Sequence, residues 1–247
     1  MKKLILVSAA AVGVAAALIA QQKSPETGAK ALFLDPTSGA AVAPTNTGAS
    51  GRSGSGAAKK RPEAAMTVNA GLMYYIERQR PDGQLERVTP TATFRSGDKI
   101  RIYLKSNVNG KLVIAQRDSD GGSGVLFPDS RVDGGDNRIR AGQVTALPSG
   151  STWFKFDEHP GKEHLLVLLT PEGNQPAAGA FPDVPPKQWN PQRTEQVALL
   201  AQAQKGSKAL VVEVDETKES AATYVVQPAG QTVAQGVITT EIVLQHQ

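Results

Sequence analysis

The fold of this chain is decided by the stretch Phe94-Arg95-Ser96-Gly97-Asp98-Lys99-Ile100-Arg101-Ile102. Its middle, Ser96-Gly97-Asp98, is typical of a turn, because glycine adopts a positive φ and serine and aspartate side chains bond the local backbone. Apolar and polar residues then alternate, which is the pattern of a strand with one buried face. The stretch therefore predicts a β-strand that begins directly after a tight turn.

Asn109-Gly110 follows this strand and stands between two apolar runs. Asn-Gly in such a position is a strong signal for a two-residue hairpin turn, because both residues tolerate a positive φ. The sequence predicts that the strand pairs through this turn with Leu112-Val113-Ile114-Ala115. A second turn, Pro81-Asp82-Gly83, is predicted to join strands at 72–79 and 85–88.

Further strand signals continue towards the C-terminus, with turn residues between them. They lie at 124–128, 138–147, 152–156, 164–169, 209–214, 223–226 and 237–244. One short helix is predicted at 192–204, with Gly206 at its C-terminus. This pattern favours a mainly β fold, an antiparallel β-sandwich that is Ig-like or a related Greek key. We expect one domain at 69–247, whose last strands complete the same sandwich or add a sheet to its edge, because three strands alone would be marginal.

The N-terminal residues have the layout of a secretory signal. Lys2 and Lys3 precede an uncharged apolar run from Leu4 to Ala20, which ends in small residues. We interpret 1–20 as a signal peptide, with an uncleaved membrane anchor as the alternative, since the run reaches the lower limit of a membrane span. The expected location is the periplasm or the cell surface of a bacterium.

Residues 21–68 are rich in Ala, Gly, Ser and Pro. Such a composition buries too little apolar surface to offset chain entropy, so it predicts a flexible, disordered N-terminal tether. One apolar island, Ala31-Leu32-Phe33-Leu34-Asp35-Pro36, interrupts the tether. We expect this island to be either a leftover hydrophobic patch or a short strand that docks on the domain's own sheet edge or on another protein.

Composition excludes several kinds of function. The chain contains no cysteine, which rules out disulfides, thiol nucleophiles and thiolate metal sites. Its formal net charge is +4, but basic and acidic residues are interspersed apart from Lys59-Lys60-Arg61. No basic stripe for a phosphate backbone is evident. We therefore expect no nucleic-acid partner, and membrane contact only through an uncleaved N-terminal segment.

The sequence offers little that resembles catalytic or metal chemistry. Its three histidines are His159, His164 and His246, and the G-x-S-x-G motif of a nucleophile elbow does not occur. Asp118-Ser119-Asp120-Gly121 begins like a calcium loop but lacks the third acidic ligand and the closing glutamate. Turn chemistry explains it, and Asp133-Gly134-Gly135-Asp136 as well. We predict no catalytic, cofactor-binding or metal-binding residues, no cofactor, and no enzyme activity.

Six short motifs occur in the order found in a known bacterial family. They are Phe94-Arg95-Ser96-Gly97-Asp98, Ser106-Asn107-x-x-Gly110, Val125-Leu126-Phe127-Pro128, Ala141-Gly142, Leu147-Pro148 and Pro160-Gly161-x-Glu163-x-Leu165-Leu166. The segment at about 71–171 therefore resembles the family catalogued as domain of unknown function 4384. The resemblance implies a β-rich domain, usually in envelope or secreted proteins, with no agreed activity and no catalytic residues to transfer.

These observations predict an exported, non-enzymatic interaction module of the cell envelope that binds a protein partner. The alternative is a glycan- or peptidoglycan-binding domain, which needs exposed aromatic residues in a groove. An enzyme of unrecognised type is the third hypothesis. Of the neighbours Tyr74 and Tyr75, strand alternation buries only one, and the other is a candidate for a binding face.

Overall fold

The computed structural model describes residues 28–38, 67–80, 82–117, 122–129, 135–174, 186–217 and 220–247. The predicted signal peptide at 1–20 lies outside these residues, as do 21–27 and 39–66 of the predicted tether. Within the described part of the chain, no helix is long and apolar enough to cross a membrane.

The described residues form thirteen strands and two α-helices. In chain order they are α1 (Ala29–Leu34), β1 (Ala70–Gln79), β2 (Leu85–Val88), β3 (Thr93–Phe94), β4 (Lys99–Ser106), β5 (Gly110–Arg117), β6 (Ser123–Phe127), β7 (Arg138–Ile139), β8 (Val144–Leu147), β9 (Phe154–Lys155), β10 (Gly161–Pro171), α2 (Pro191–Lys205), β11 (Val211–Asp215), β12 (Ala222–Gln227) and β13 (Ile238–His246).

The strands form two sheets that pack face to face. Sheet A has the order β11-β12-β1-β4-β8, with β2 beside β1 and β9 beside β4. Sheet B has the order β3-β13-β10-β5-β6, with β7 beside β5. All pairings are antiparallel except the two-residue pairing of β13 with β3. The predicted mainly β fold, an antiparallel sandwich, is confirmed.

One apolar core lies between the sheets, and strand alternation decides which side chains enter it. In β1, Tyr74 is 4% exposed, whereas its neighbour Tyr75 is half-buried on the outer face, as predicted. In β10, all five residues of Leu165–Leu169 are buried. The usual alternation of buried and exposed residues is lost in this strand because sheet B is covered on both faces, by sheet A on one side and by α2 on the other.

The three C-terminal strands are divided between the two sheets. β11 and β12 extend sheet A next to β1. β13 lies between β10 and β3 in sheet B, in a register that runs from the pair Gly161 and His246 to the pair Leu169 and Ile238. Among the described residues, all three strands therefore join the two sheets of the sandwich and form no additional sheet at its edge.

Helix α2 closely matches the predicted helix at 192–204. Asn190 caps its N-terminus, because the side-chain oxygen accepts a hydrogen bond from the backbone N–H of Arg193 at 2.9 Å. Proline occupies the first turn, where no N–H is needed, and Gly206 follows the last residue. Val197 and Ala198 are buried against the outer face of sheet B.

The predicted hairpin at Asn109-Gly110 is wrong. β4 lies in sheet A and β5 lies in sheet B, so the dipeptide belongs to a connection between sheets. Neither residue has a positive φ. Gly110 instead pairs with Pro171, and a Cβ atom at this position would overlap the backbone carbonyl oxygen of Thr170. Glycine is needed here because β5 approaches the end of β10 closely.

The apolar island in the predicted tether is a helix, α1, and the expectation of a strand there is wrong. Ala29 and Phe33, four residues apart on one helix face, are buried. They pack on the outer face of sheet A, where the ring of Phe33 meets that of Tyr224 edge to face at 5.6 Å. The island therefore docks on a face of the domain's own sheet and not on its edge.

Candidate binding surface

The outer face of sheet A has two halves. Helix α1 packs on the half formed by β11 and β12. The side chains of the other half are all exposed or half-buried, and we call them the basic–aromatic surface. They are Tyr75, Glu77, Gln79, Leu85, Arg87, Lys99, Arg101, Tyr103, Lys105, Val144, Ala146, Trp153 and Lys155.

A ladder of stacked side chains crosses the middle of this surface. Tyr75 and Tyr103 are direct cross-strand neighbours, and their rings stack with centroids 4.7 Å apart and planes 10° from parallel. The guanidinium of Arg87 lies 3.9 Å from the centroid of the Tyr75 ring. Because β2 and β4 flank β1 on opposite sides, Arg87 and Tyr103 cover opposite faces of Tyr75.

Hydrogen bonding and burial hold the ladder in place. The hydroxyl of Tyr103 donates to a carboxylate oxygen of Glu77 at 3.0 Å. Burial within the stack raises the pKa of Tyr75 above its ordinary value, so its phenol stays neutral over the physiological range. The two rings are therefore held in place, and the hydroxyl group of Tyr75 is neutral.

A second cation–aromatic pair lies beside the ladder. The guanidinium of Arg101 stands 4.4 Å from the centroid of the Trp153 ring. One terminal nitrogen of Arg101 donates to the backbone carbonyl oxygen of Thr152 at 2.7 Å. The Nε atom of Arg101 is buried and has no hydrogen-bond partner among the described residues. An unpaired buried donor costs about 1–3 kcal/mol.

The surface is strongly basic. Five cations, Arg87, Lys99, Arg101, Lys105 and Lys155, share it with a single acid, Glu77. Lys99 and Lys155 are direct cross-strand partners in β4 and β9. In the described part of the chain, none of the three lysines forms an ion pair. Like charges directly opposite each other destabilise a sheet, so this arrangement favours an anionic ligand.

The strands that carry most of this surface, β4, β8 and β9, lie within the series of motifs quoted from the sequence. Residues 93–173 match the family described as domain of unknown function, DUF4384. The predicted resemblance is confirmed at this segment, which begins later than the expected 71. No curated protein and no solved structure matches the chain. Tyr75 and Arg87 precede the DUF4384 segment, so the basic–aromatic surface combines residues from inside and outside it.

The three histidines have separate partners. The Nδ1 atom of His164 lies 2.8 Å from a carboxylate oxygen of Glu241. His159 is exposed, with Nδ1 3.4 Å from a carboxylate oxygen of Asp157. Each of these two imidazoles therefore has a local carboxylate partner.

His246 is 2% exposed, and its Nε2 atom lies 3.2 Å from the hydroxyl oxygen of Ser96, in the turn before β4. Its ring packs on Phe156 with centroids 5.1 Å apart. Among the described residues, no carboxylate is hydrogen-bonded to His246, so this serine–histidine contact lacks the orienting third member of a catalytic triad. The contact joins the turn before β4 to the end of β13.

The acidic loops are only partly described. Asp118-Ser119-Asp120-Gly121 lies outside the described residues, as do Asp133 and Gly134. Asp136 binds the guanidinium of Arg138 through both oxygens, with Oδ1 3.1 Å from Nε and Oδ2 2.8 Å from a terminal nitrogen, which lowers the pKa of Asp136 to about 2. In the described ranges, no group of three or more His, Asp or Glu residues could hold a metal ion.

A cleft of about 750 Å³ opens between the edges of the two sheets, inside the DUF4384 segment. Residues from β6, β7 and β8 line it, and Asp136 and Arg138 stand at its rim. These two charged groups satisfy each other, so they leave little unpaired charge for a ligand. The basic–aromatic surface, whose three lysines form no ion pair in the part of the chain that the structure describes, is the stronger candidate.

Sequence reasoning missed most of this surface. It singled out Tyr75 as one of two alternatives, but it assigned no role to Arg87, Arg101, Tyr103 or Lys155. The alternation of Arg101, Tyr103 and Lys105 in β4 was the available signal, because it predicts one strand face with an aromatic ring between two cations.

Proposed function

We propose that this protein is an exported, non-enzymatic module of the bacterial cell envelope that binds a protein partner through its basic–aromatic surface. The observation that carries the proposal is the cluster formed by the ladder Arg87, Tyr75 and Tyr103 and the neighbouring pair Arg101 and Trp153. Tyrosine, tryptophan and arginine are the residue types that supply most binding energy at protein interfaces. Export is inferred from the N-terminal sequence.

The cluster is already ordered in the free protein. Because the Tyr75 ring is held between Arg87 and Tyr103, little side-chain entropy remains to be lost on binding. Leu85 and Val144 flank the cluster and are 53% and 49% exposed, which adds apolar contact area on both sides. A preorganised aromatic centre with flanking apolar residues fits a protein surface.

The glycan-binding alternative receives less support. A sugar ring stacks on an uncovered face of an aromatic side chain. Here both faces of Tyr75 are covered, and Arg101 covers one face of the Trp153 ring. The central ring of the surface therefore offers no free face to a saccharide, whereas its edge and the surrounding cationic groups suit a folded or extended polypeptide.

Site-specific photo-cross-linking tests this proposal in the full chain. A benzophenone amino acid is introduced in place of Leu85, which lies on the basic–aromatic surface, and separately in place of Leu199, which lies on α2 on the opposite side. Leu199 is a matched control because it is an equally exposed leucine, at 56%. Irradiation of cells that express each variant should give a discrete protein adduct from position 85 and none from position 199.

The adduct must also depend on the cluster. Replacing both Arg87 and Arg101 by alanine should abolish cross-linking from position 85. Adducts that muramidase digestion converts to small species would support the glycan alternative. Equal adducts from positions 85 and 199 would overturn the assignment of the binding face.

A further inference from the structure

We infer that the partner segment that binds the basic–aromatic surface is acidic, presenting several aspartate or glutamate carboxylates. This inference rests on the proposed function, and it names the chemistry of the partner. Five cations and one acid lie on the surface, and the single acid, Glu77, is engaged by the hydroxyl of Tyr103. Charge complementarity selects partners by repelling those of the same sign.

The two facing lysines give the most direct support for an anionic partner. Lys99 and Lys155 are exposed and stand opposite each other in an antiparallel pair. Their mutual repulsion is unfavourable in the free protein. A carboxylate placed between the two ammonium groups would convert that repulsion into two attractive contacts. The gain appears only in the complex, so it contributes to affinity.

Arg101 adds a specific contact for a carboxylate. Its planar guanidinium is held by the Trp153 ring and by the carbonyl oxygen of Thr152. A guanidinium binds a carboxylate through charge-assisted hydrogen bonds, and a guanidinium that is already held in place loses little freedom on binding.

Other occupants fit this surface less well. The chain's own residues 39–66 carry four basic side chains and one acidic side chain, so their charge repels the surface. A second copy that used the same face would bring five cations against five. Single-stranded nucleic acid binds by stacking successive bases on free aromatic faces, and here both faces of the central Tyr75 ring and one face of the Trp153 ring are covered. An acidic polypeptide needs no stacking platform.

Fluorescence anisotropy with a labelled decaglutamate peptide tests the inference on the full chain. The variant Lys99→Gln with Lys155→Gln removes the facing pair. The variant Lys187→Gln with Lys208→Gln removes two exposed lysines beside the two ends of α2, on the other side of the sandwich, and is the matched control. We expect the surface variant to bind the peptide about five- to tenfold more weakly than wild type, and the control to bind unchanged.

Two further probes separate carboxylate recognition from general attraction to anions. These are oligothymidylate of the same charge and vesicles that contain phosphatidylglycerol. Tighter binding of either probe, lost in the same surface variant, would overturn the acidic polypeptide in favour of a phosphate-bearing ligand. Equal loss of peptide binding in both lysine variants would also overturn it. Cross-links from position 85 without any peptide binding would remove this inference and leave the proposed function standing.

Discussion

Asn107 donates from its side-chain nitrogen to the backbone carbonyl oxygen of Asn69 at 3.1 Å. The same nitrogen donates to the carbonyl oxygen of Phe33 in α1 at 3.2 Å, and the side-chain oxygen accepts from the N–H of Gly71 at 2.8 Å. Asn69, which is 1% exposed, donates in turn to the carbonyl oxygen of Ser38 at 2.7 Å. Two asparagines therefore fasten α1 to the start of β1 in sheet A.

The substitution Asn107→Asp tests the two hydrogen bonds that the Asn107 side-chain nitrogen donates. Aspartate keeps an oxygen for the Gly71 N–H but loses the donor, so two carbonyl oxygens lose their partner and face a carboxylate. We expect the free energy of unfolding in urea to fall by about 2 kcal/mol. Asn109→Asp is the matched control, because Asn109 uses its side-chain oxygen, which accepts from the N–H of Ala141 at 3.0 Å. Equal losses in both variants would contradict the role given to the nitrogen.

The pairing of Lys30 with Asp215 predicts a dependence of stability on pH. Their charged atoms are 2.6 Å apart. The Lys30 ammonium, followed by the backbone N–H of Thr217 and the hydroxyl of Ser220, holds the pKa of Asp215 well below its usual range. Because this pKa is lower in the folded state, the carboxylate stabilises the protein above its unfolded pKa of about 3.9. That contribution is lost as the pH falls through the folded-state pKa.

The difference in unfolding free energy between wild type and Asp215→Asn should therefore be largest above about pH 5 and shrink steadily below pH 4. Urea unfolding from pH 6 to pH 2.5 measures it. Glu216→Gln is the control, since this neighbouring carboxylate is exposed and forms no ion pair among the described residues. A difference that stays constant over the whole range would show that the Asp215 charge contributes nothing.

The Asn109-Gly110 dipeptide shows where local sequence signals stop being informative. The alternation that begins at Ile100 predicted correctly which residues of β4 face the core. It could not predict the sheet that the next strand joins, because strands of both sheets bury one face in the same core. The constraint on Gly110 comes from Thr170, sixty residues later in the chain, and no local pattern contains it.

Gly110→Ala should destabilise the fold through crowding and not through an unfavourable φ. The new Cβ would overlap the backbone carbonyl oxygen of Thr170, so β5 and β10 must separate. We expect a loss of about 1–3 kcal/mol, measured by thermal unfolding. Gly124→Ala in β6 is the control, because a Cβ there meets no atom within 4 Å. If the two variants lost equal stability, close approach at Gly110 would not be the cause.

The charge of the basic–aromatic surface could not be predicted from runs of charged residues. Apart from Glu77, two acidic residues that lie near its strands in the sequence bind a cation on the other side of the sheet. Glu86 and Asp98 both contact the guanidinium of Arg78, at 2.6 Å and 3.8 Å. The cations Arg87 and Lys155 come from β2 and β9, whose places beside β1 and β4 depend on register. Segregation of charge is thus a property of the folded sheet.

Lys155→Glu should stabilise the protein, because it converts the repulsion between Lys99 and Lys155 into an attraction across β4 and β9. We expect the free energy of unfolding to rise by about 0.5–1 kcal/mol at low ionic strength. The gain should fade in 1 M NaCl, where the Debye length is about 3 Å. Lys187→Glu is the control, since it makes the same change in net charge at an exposed lysine outside both sheets. A loss of stability in Lys155→Glu, or an equal gain in the control, would show that the two lysines do not repel each other, and would remove the main support for an acidic partner.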